Sequence, residues 1–398
     1  MGYGFSREDV AYLGGPAGIA ALTEVDRLEL TQASHLRDLA WVRRAYGDRA
    51  AALVETVRLR RKAGVKLADA RDWLFTDDAL QQATPTLVAR QRAVRLAGRA
   101  VHDVTCSIGA ELAELARVCP AVIGSDLDDT RLAMAAHNLA DRRNVLLAKA
   151  DALVPVSRDT VVIADPARRA DGKRTHDPAK LQPPLPDLLA AYPDRDIAVK
   201  CAPGLDFDRL DWSGEIEVVS LDGAVREACL WSAGLSDPAV TRRATVSASA
   251  GTSFTLTDAE PDDLPDQEPG DWIVDPDGAV VRAGLVRHYA AKHGLWQLDP
   301  RIAYLTGNAV PPGTRGFRVL DRLDYREKTL RAELRRHDCG PLEILVRGVD
   351  VDPDKLRRAL KPQGTRPFTL VITRIGRTPT AFLCTAVAAT PRAVSARA

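Results

Sequence analysis

Between Arg99 and Ser249 short Val/Ile/Ala-rich runs alternate with stretches of helical periodicity, and no other feature constrains the chain as strongly. Alternation of this kind builds βαβ units and a mainly parallel sheet flanked by helices. It predicts strands at Ala100–Val104, Ala121–Ser125, Val145–Ala148, Thr160–Ala164, Asp196–Cys201, Glu215–Leu221 and Glu227–Ala233. Open α/β sheets bind ligands in the crevice at the carboxyl ends of their strands. Asp103, Asp126, Asp151 and Asp165 fall in order at the ends of the first four strands.

The first strand runs into Thr105-Cys106-Ser107-Ile108-Gly109-Ala110-Glu111 and then a predicted helix, Leu112–Cys119. A tight turn of small residues at a helix N-terminus lets a nucleotide approach the backbone. Nicotinamide enzymes need a glycine-rich turn here because a pyrophosphate sits on bare backbone. Only Gly109 is present, and S-adenosylmethionine, which carries no phosphate, suits such a turn better. The cofactor-binding set is then Asp103, Thr105, Cys106, Gly109, Asp126, Leu127, Asp151, Ala152 and Asp165. In it Asp126 accepts hydrogen bonds from the ribose hydroxyls and Asp151 meets the adenine amino group.

A chain of 398 residues predicts two or three domains. Residues 1–97 carry apolar positions at helical spacing, such as Leu36, Leu39, Val42 and Leu53, Val54, Val57, and read as a helical N-terminal domain. Residues 98–250 form the Rossmann-like α/β domain. Residues 251–275 hold eight Asp/Glu, no Lys/Arg and several prolines, and read as an acidic linker. Residues 276–398 carry 22 Lys/Arg against 11 Asp/Glu in a chain whose net charge is only +1. That asymmetry points to a polyanion-binding module, with solvated helix faces as the alternative reading.

The start of the chain has no basic segment followed by an apolar one, and no apolar run is long enough to span a bilayer, so the expectation is a cytoplasmic protein without a membrane partner. The six cysteines lack CxxC pairs and His partners at ligand spacing, which argues against a zinc site or a disulfide framework and for packed thiols. His102, His137 and His176 have no metal spacing and read as packing or surface residues.

The string Asp165-Pro166-Ala167-Arg168-Arg169, followed by Val199-Lys200-Cys201-Ala202-Pro203-Gly204-Leu205-Asp206, resembles two blocks of bacterial methyltransferases that carry a C-terminal THUMP-like domain. Asp103-Val104-Thr105, Arg282-Ala283-Gly284-Leu285 and Tyr304-Leu305-Thr306 extend the resemblance over roughly Leu87 to Ala386. In that family glycines usually stand where Cys106 and Ser107 stand here. The last two strands, joined by Asp222-Gly223, look like the closing hairpin of class I methyltransferases. The resemblance implies a class I, S-adenosylmethionine-dependent methyltransferase with a C-terminal α+β THUMP-like domain, acting on RNA such as tRNA or rRNA. A methyltransferase of a protein or small molecule, or a non-catalytic RNA-binding protein on this scaffold, remain as alternatives.

Base N-methylation commonly uses an Asn/Asp-Pro-Pro-aromatic turn that stacks a flipped base. Ala167 and Arg168 stand at the second proline and the aromatic, so a ring is missing, although an arginine plane can substitute. Asp165, Lys200 and Glu227 fall near neighbouring strand ends and resemble, in this order, the catalytic set of ribose 2′-O-methyltransferases, where a lysine helps deprotonate the hydroxyl. A lysine flanked by charge and partly desolvated can serve as such a base. That family has a further lysine before the first motif; Arg92, the nearest residue, cannot act as a base. Alternatively Lys200 contacts a phosphate or forms an ion bridge with Glu227. Arg168, Arg169, Lys173 and Arg174 form a basic loop after the fourth strand, suited to an RNA phosphate.

Overall fold

The computed structural model describes residues 2–398 except 168, 171, 172, 175, 176, 252 and 387–398, with the backbone alone for 169, 170, 173, 174, 208 and 386. The chain divides into two compact units, Met1–Gly214 with Ala228–Ser236, and Glu215–Glu227 with Asp237–Ala398.

The first unit opens with the helices α1 (Arg7–Gly14), α2 (Pro16–Val25), α3 (His35–Tyr46), α4 (Ala50–Ala63), α5 (Asp77–Gln82) and α6 (Thr86–Arg95). Local signals start them. Ser6 Oγ accepts from the Asp9 N–H while the Asp9 carboxylate accepts from the Ser6 N–H, a reciprocal cap on α1. Pro16 opens α2, where its missing N–H costs nothing. Leu13, Val25, Val42, Leu53 and Leu74 form an apolar cluster that continues into Ile108 and Met134. The core of the helical segment is thus shared with residues beyond residue 97.

Next come β1 (Val101–Asp103), α7 (Ala110–Leu115), β2 (Val122–Asp126), α8 (Asp129–Asn138), β3 (Val145–Lys149), β4 (Val161–Ala164), the short hairpin strands β5 (Arg169–Ala170) and β6 (Lys173–Arg174), α9 (Leu185–Ala191) and β7 (Ile197–Cys201). β1 lies between β2 and β4, with β3 beyond β2 and β7 beyond β4, all parallel. β4 and β7 are buried along their whole length, as expected for central strands covered on both faces. β8 (Glu215–Leu221) and β9 (Ala224–Trp231) follow in sequence, and β9 runs antiparallel to β7 from Ala228 to Trp231. This is the predicted Rossmann-like order with an antiparallel closing strand. β9 starts before the expected Glu227, because Asp222 and Gly223 both take positive φ (53° and 72°), the tight hairpin geometry that lets pairing begin at Ala224.

In the second unit β10 (Arg242–Ser247) pairs parallel with β8 and antiparallel with β11 (Ser253–Thr257). A seven-stranded sheet follows, built from β12 (Trp272–Asp275), β13 (Trp296–Gln297), β14 (Leu305–Gly307), β15 (Arg315–Asp324), β16 (Cys339–Val346), β17 (Arg366–Ile375) and β18 (Thr378–Ala386) in the order β13-β14-β12-β15-β18-β17-β16. The helices of this unit are α10 (Gly278–Arg282), α11 (Val286–His293), α12 (Glu327–Arg336) and α13 (Pro353–Leu360). The expected linker is thus partly sheet. β11 and β12 occupy its two ends, and their Leu256 and Ile273 are fully buried. The two-residue alternation in Ser253-Phe254-Thr255-Leu256-Thr257 carries that strand, and the acidic composition around it obscures the signal.

All six cysteines are free and buried. Among the described residues no helix is long and apolar enough to cross a membrane. Asp321, Glu333 and His337 converge, but Arg336 donates to both carboxylates, at 3.1 and 2.6 Å, and compensates their charge.

Candidate active site

The parallel strands of the first unit end in a cavity of about 420 Å³, within the range of small-molecule sites. The loop after β1 forms its floor. Ser107 adopts φ +51° and Gly109 φ +85°, so the turn is as tight as a glycine-rich one although a serine holds one of its left-handed positions. That conformation costs a non-glycine residue roughly 1 kcal/mol. The Ser107 N–H donates to Asp126 Oδ2 at 3.0 Å, which fastens the turn to the end of β2. At Gly109 a Cβ would lie 2.6 Å from Leu139 Cδ1, so glycine is required there for space as well as for φ.

Thr105 links two strand ends. It donates through its N–H (3.0 Å) and its hydroxyl (3.3 Å) to Asp103 Oδ1, and its hydroxyl accepts from the Asp165 N–H at 2.7 Å. Asp126 also accepts from the Asp128 N–H, and Asp151 from the Leu153 N–H, so these carboxylates are held in Asx turns at the rim. Asp103 is only 4% exposed. Burial pushes its carboxyl up to about 7; the Thr105 N–H opposes this, Glu111 adds repulsion, Lys200 opposes it, and Asp165 adds repulsion again.

A cluster of charges closes the far side. Lys200 Nζ donates to Asp165 Oδ2 and to Thr84 Oγ1, each at 2.5 Å, and stands 3.8 Å from Glu111 Oε2. Arg92 Nε lies 3.4 Å from Glu111 Oε1, with both side chains buried. Two carboxylates, of Asp165 and Glu111, therefore face the Lys200 amine, which donates to the first of them.

Asp103, Thr105, Cys106, Asp126, Leu127, Asp151, Ala152, Asp165 and Lys200 all line the cavity, whereas Gly109 shapes the loop from behind. Glu227 falls in the other compact unit. Of the basic loop, Arg168 lies outside the described residues, and so do the side chains of Arg169, Lys173 and Arg174; the backbone of β5 pairs with β6. His102 is buried against Ser157 and Ser125, and burial lowers it to about 4. His137 bonds the Asp72 carbonyl, and His176 lies outside the described residues.

Sequence reasoning missed Thr84 and Glu111. Ala79, Gln82, Ala83 and Thr84 bring the helical segment into the cavity wall. Glu111 had a readable signal: it is four residues before the fully buried Leu115, so it faces inward on α7 and needs a cation.

The family model described as THUMP domain-like matches residues 314–386, and that of a domain of unknown function matches residues 6–63. An uncharacterized S-adenosylmethionine-dependent methyltransferase of Mycobacterium tuberculosis is 56% identical over 345 residues, covering 84% of this chain and 96% of its own, with the same figures in a second strain. A candidate methyltransferase from Porphyromonas gingivalis shares the fold with a TM-score of 0.73 at 19% identity, covering 98% of this chain and 100% of that one. S-adenosylmethionine carries a cationic centre, ribose hydroxyls and amino groups, which call for acceptors, and the acid-rimmed cavity supplies them. Acid rim, strand order and an identity sustained over most of both sequences agree: the chain belongs to the S-adenosylmethionine-dependent methyltransferases.

Proposed function

We propose that this methyltransferase acts on RNA, and that a ribose hydroxyl is the acceptor its cavity suits best. The observation that carries the RNA reading is a set of exposed cations on α12 and α13 in the THUMP-like segment. Leu330, Leu334, Leu356 and Leu360 turn inward, while Arg331 Nη2 donates to the Ala359 carbonyl at 2.9 Å and ties the two helices together. Lys328, Arg331 and Arg335 share one stripe at i, i+3 and i+7, and Arg358 and Lys361 stand on α13 and its C-cap. Among the described residues, Lys328, Arg335 and Lys361 are exposed and have no carboxylate partner, whereas the exposed Arg358 acts on the Asp352 carboxylate. Unneutralised surface cations suit a phosphate backbone.

The preference for a hydroxyl is supported by the lining of the cavity, where no described residue is aromatic and a flipped base finds no ring to stack on. In this reading Asp126 holds the ribose hydroxyls of the cofactor and Asp151 its adenine. Thr105, Cys106, Leu127 and Ala152 line the remainder, and Gly109 keeps the turn tight. When bound, the cofactor supplies a methyl group on a sulfonium centre. Asp165, at the end of β4, accepts the proton of the acceptor, and Lys200 holds the carboxylate in place. Arg168, Arg169, Lys173 and Arg174 are the proposed RNA contacts.

The test is nucleoside mass spectrometry of tRNA and rRNA from cells with and without the gene, together with tRNA binding at rising salt. A methylated ribose lost with the gene, and affinity that falls steeply with salt, are expected. Unchanged RNA nucleosides together with methyl incorporation into protein would overturn the reading.

A further inference from the structure

We infer that the exposed face of α3 binds single-stranded RNA, with Trp41 stacking on an unpaired base and arginines on the flanking phosphates; this rests on the RNA reading above. α3 lies within the segment matched by the model of unknown function. Its inward face carries Val42, fully buried, and Asp38. On the opposite face Arg37, Ala40, Trp41 and Arg44 recur at i, i+3, i+4 and i+7, with Arg43 beside them. Trp41 is 41% exposed and Leu36, one edge over, 84%.

The ring is braced rather than loose. Tyr46 meets it edge-on, with centroids 6.2 Å apart, and the Tyr46 hydroxyl donates to Glu24 Oε2 at 2.5 Å. Ala40 leaves a low step beside the indole, where a flat group can enter.

The charges select the occupant. The carboxylate of α3, Asp38, is buried and taken up by the Leu30 N–H and by Arg37. Arg37 is also 4.0 Å from Glu29. Arg43 and Arg44 are exposed and have no carboxylate partner among the described residues. A second copy docking through this face would press these arginines against their own counterparts. A nucleic acid strand offers both complements at once, a flat base for the indole and phosphates for the guanidinium groups, and stacking of this kind tolerates any base.

The test uses the full-length protein and a fluorescently labelled oligouridylate, with anisotropy at low and moderate salt. Trp41→Ala should weaken binding by about tenfold, and Trp41→Phe should recover most of it. Arg43→Gln with Arg44→Gln should weaken binding and flatten its salt dependence. S-adenosylmethionine affinity, measured by calorimetry, should stay at the wild-type value in every variant. If the wild type binds RNA and Trp41→Ala binds it equally well, or if Trp41→Phe recovers nothing, this inference falls and the RNA reading stands. A wild type that binds neither oligouridylate nor tRNA overturns both. Self-association that Trp41→Ala abolishes, with RNA affinity unchanged, would assign the face to a second copy and overturn the inference.

Discussion

Replacing Asp103 by Asn should stabilise the cofactor-free protein at neutral and alkaline pH and lose that advantage in acid. The carboxyl is buried, which holds its folded-state pKa at about 7 against an ordinary value of 3.8. Between those values the folded chain keeps a proton that the unfolded chain has released. The contribution of this group to stability is therefore fully present below the unfolded value and lost as pH rises through the folded one. Each pH unit of that window is worth about 1.4 kcal/mol, which sets a ceiling of about 4 kcal/mol. Asn cannot ionise, yet its Oδ1 can still accept from the Thr105 N–H, so the substitution removes the pH-dependent part and leaves the hydrogen bond. Urea unfolding of wild type and Asp103→Asn at steps from acid to mildly alkaline pH should show a difference that grows through this window in favour of the variant. A difference that stays flat across it would refute the reasoning, since burial would then not be what holds the proton.

Asp126→Ala removes the acceptor of the Ser107 N–H and, in the reading above, of the ribose hydroxyls; S-adenosylmethionine affinity by calorimetry should fall by roughly 10- to 100-fold. Lys200→Met removes the cation that the partly exposed Asp165 shares with Glu111, which keeps Arg92; losing a charge-assisted hydrogen bond of this kind costs about 1.5–3 kcal/mol, visible as a lower denaturation midpoint alongside lost methyl transfer. Gly124→Ala places a Cβ 2.3 Å from Leu112 Cδ1 and 3.1 Å from Cys106 Cβ, so overpacking of about 1–3 kcal/mol should accompany weaker cofactor binding, read from thermal midpoint and calorimetry together.

The sheet was legible because its information is local. Val161-Val162-Ile163-Ala164 and Ile197-Ala198-Val199 read as buried strands from composition alone, and an acid just beyond such a run must emerge at a strand end. The local pattern therefore places Asp103, Asp126, Asp151 and Asp165 on one rim. Domain limits were less legible, because they depend on which apolar faces meet: Ile108 and Met134 complete the core of the helical segment, and residues 237–257 group with the C-terminal unit. The charge network around Lys200 was decided by tertiary structure alone. Thr84 is 116 positions from Lys200 in sequence, and they meet because the loop after α5 packs against the end of β7. Periodicity tells which way a side chain faces within its own element, whereas the partner of a buried charge is set by the element packed opposite, which no local pattern encodes.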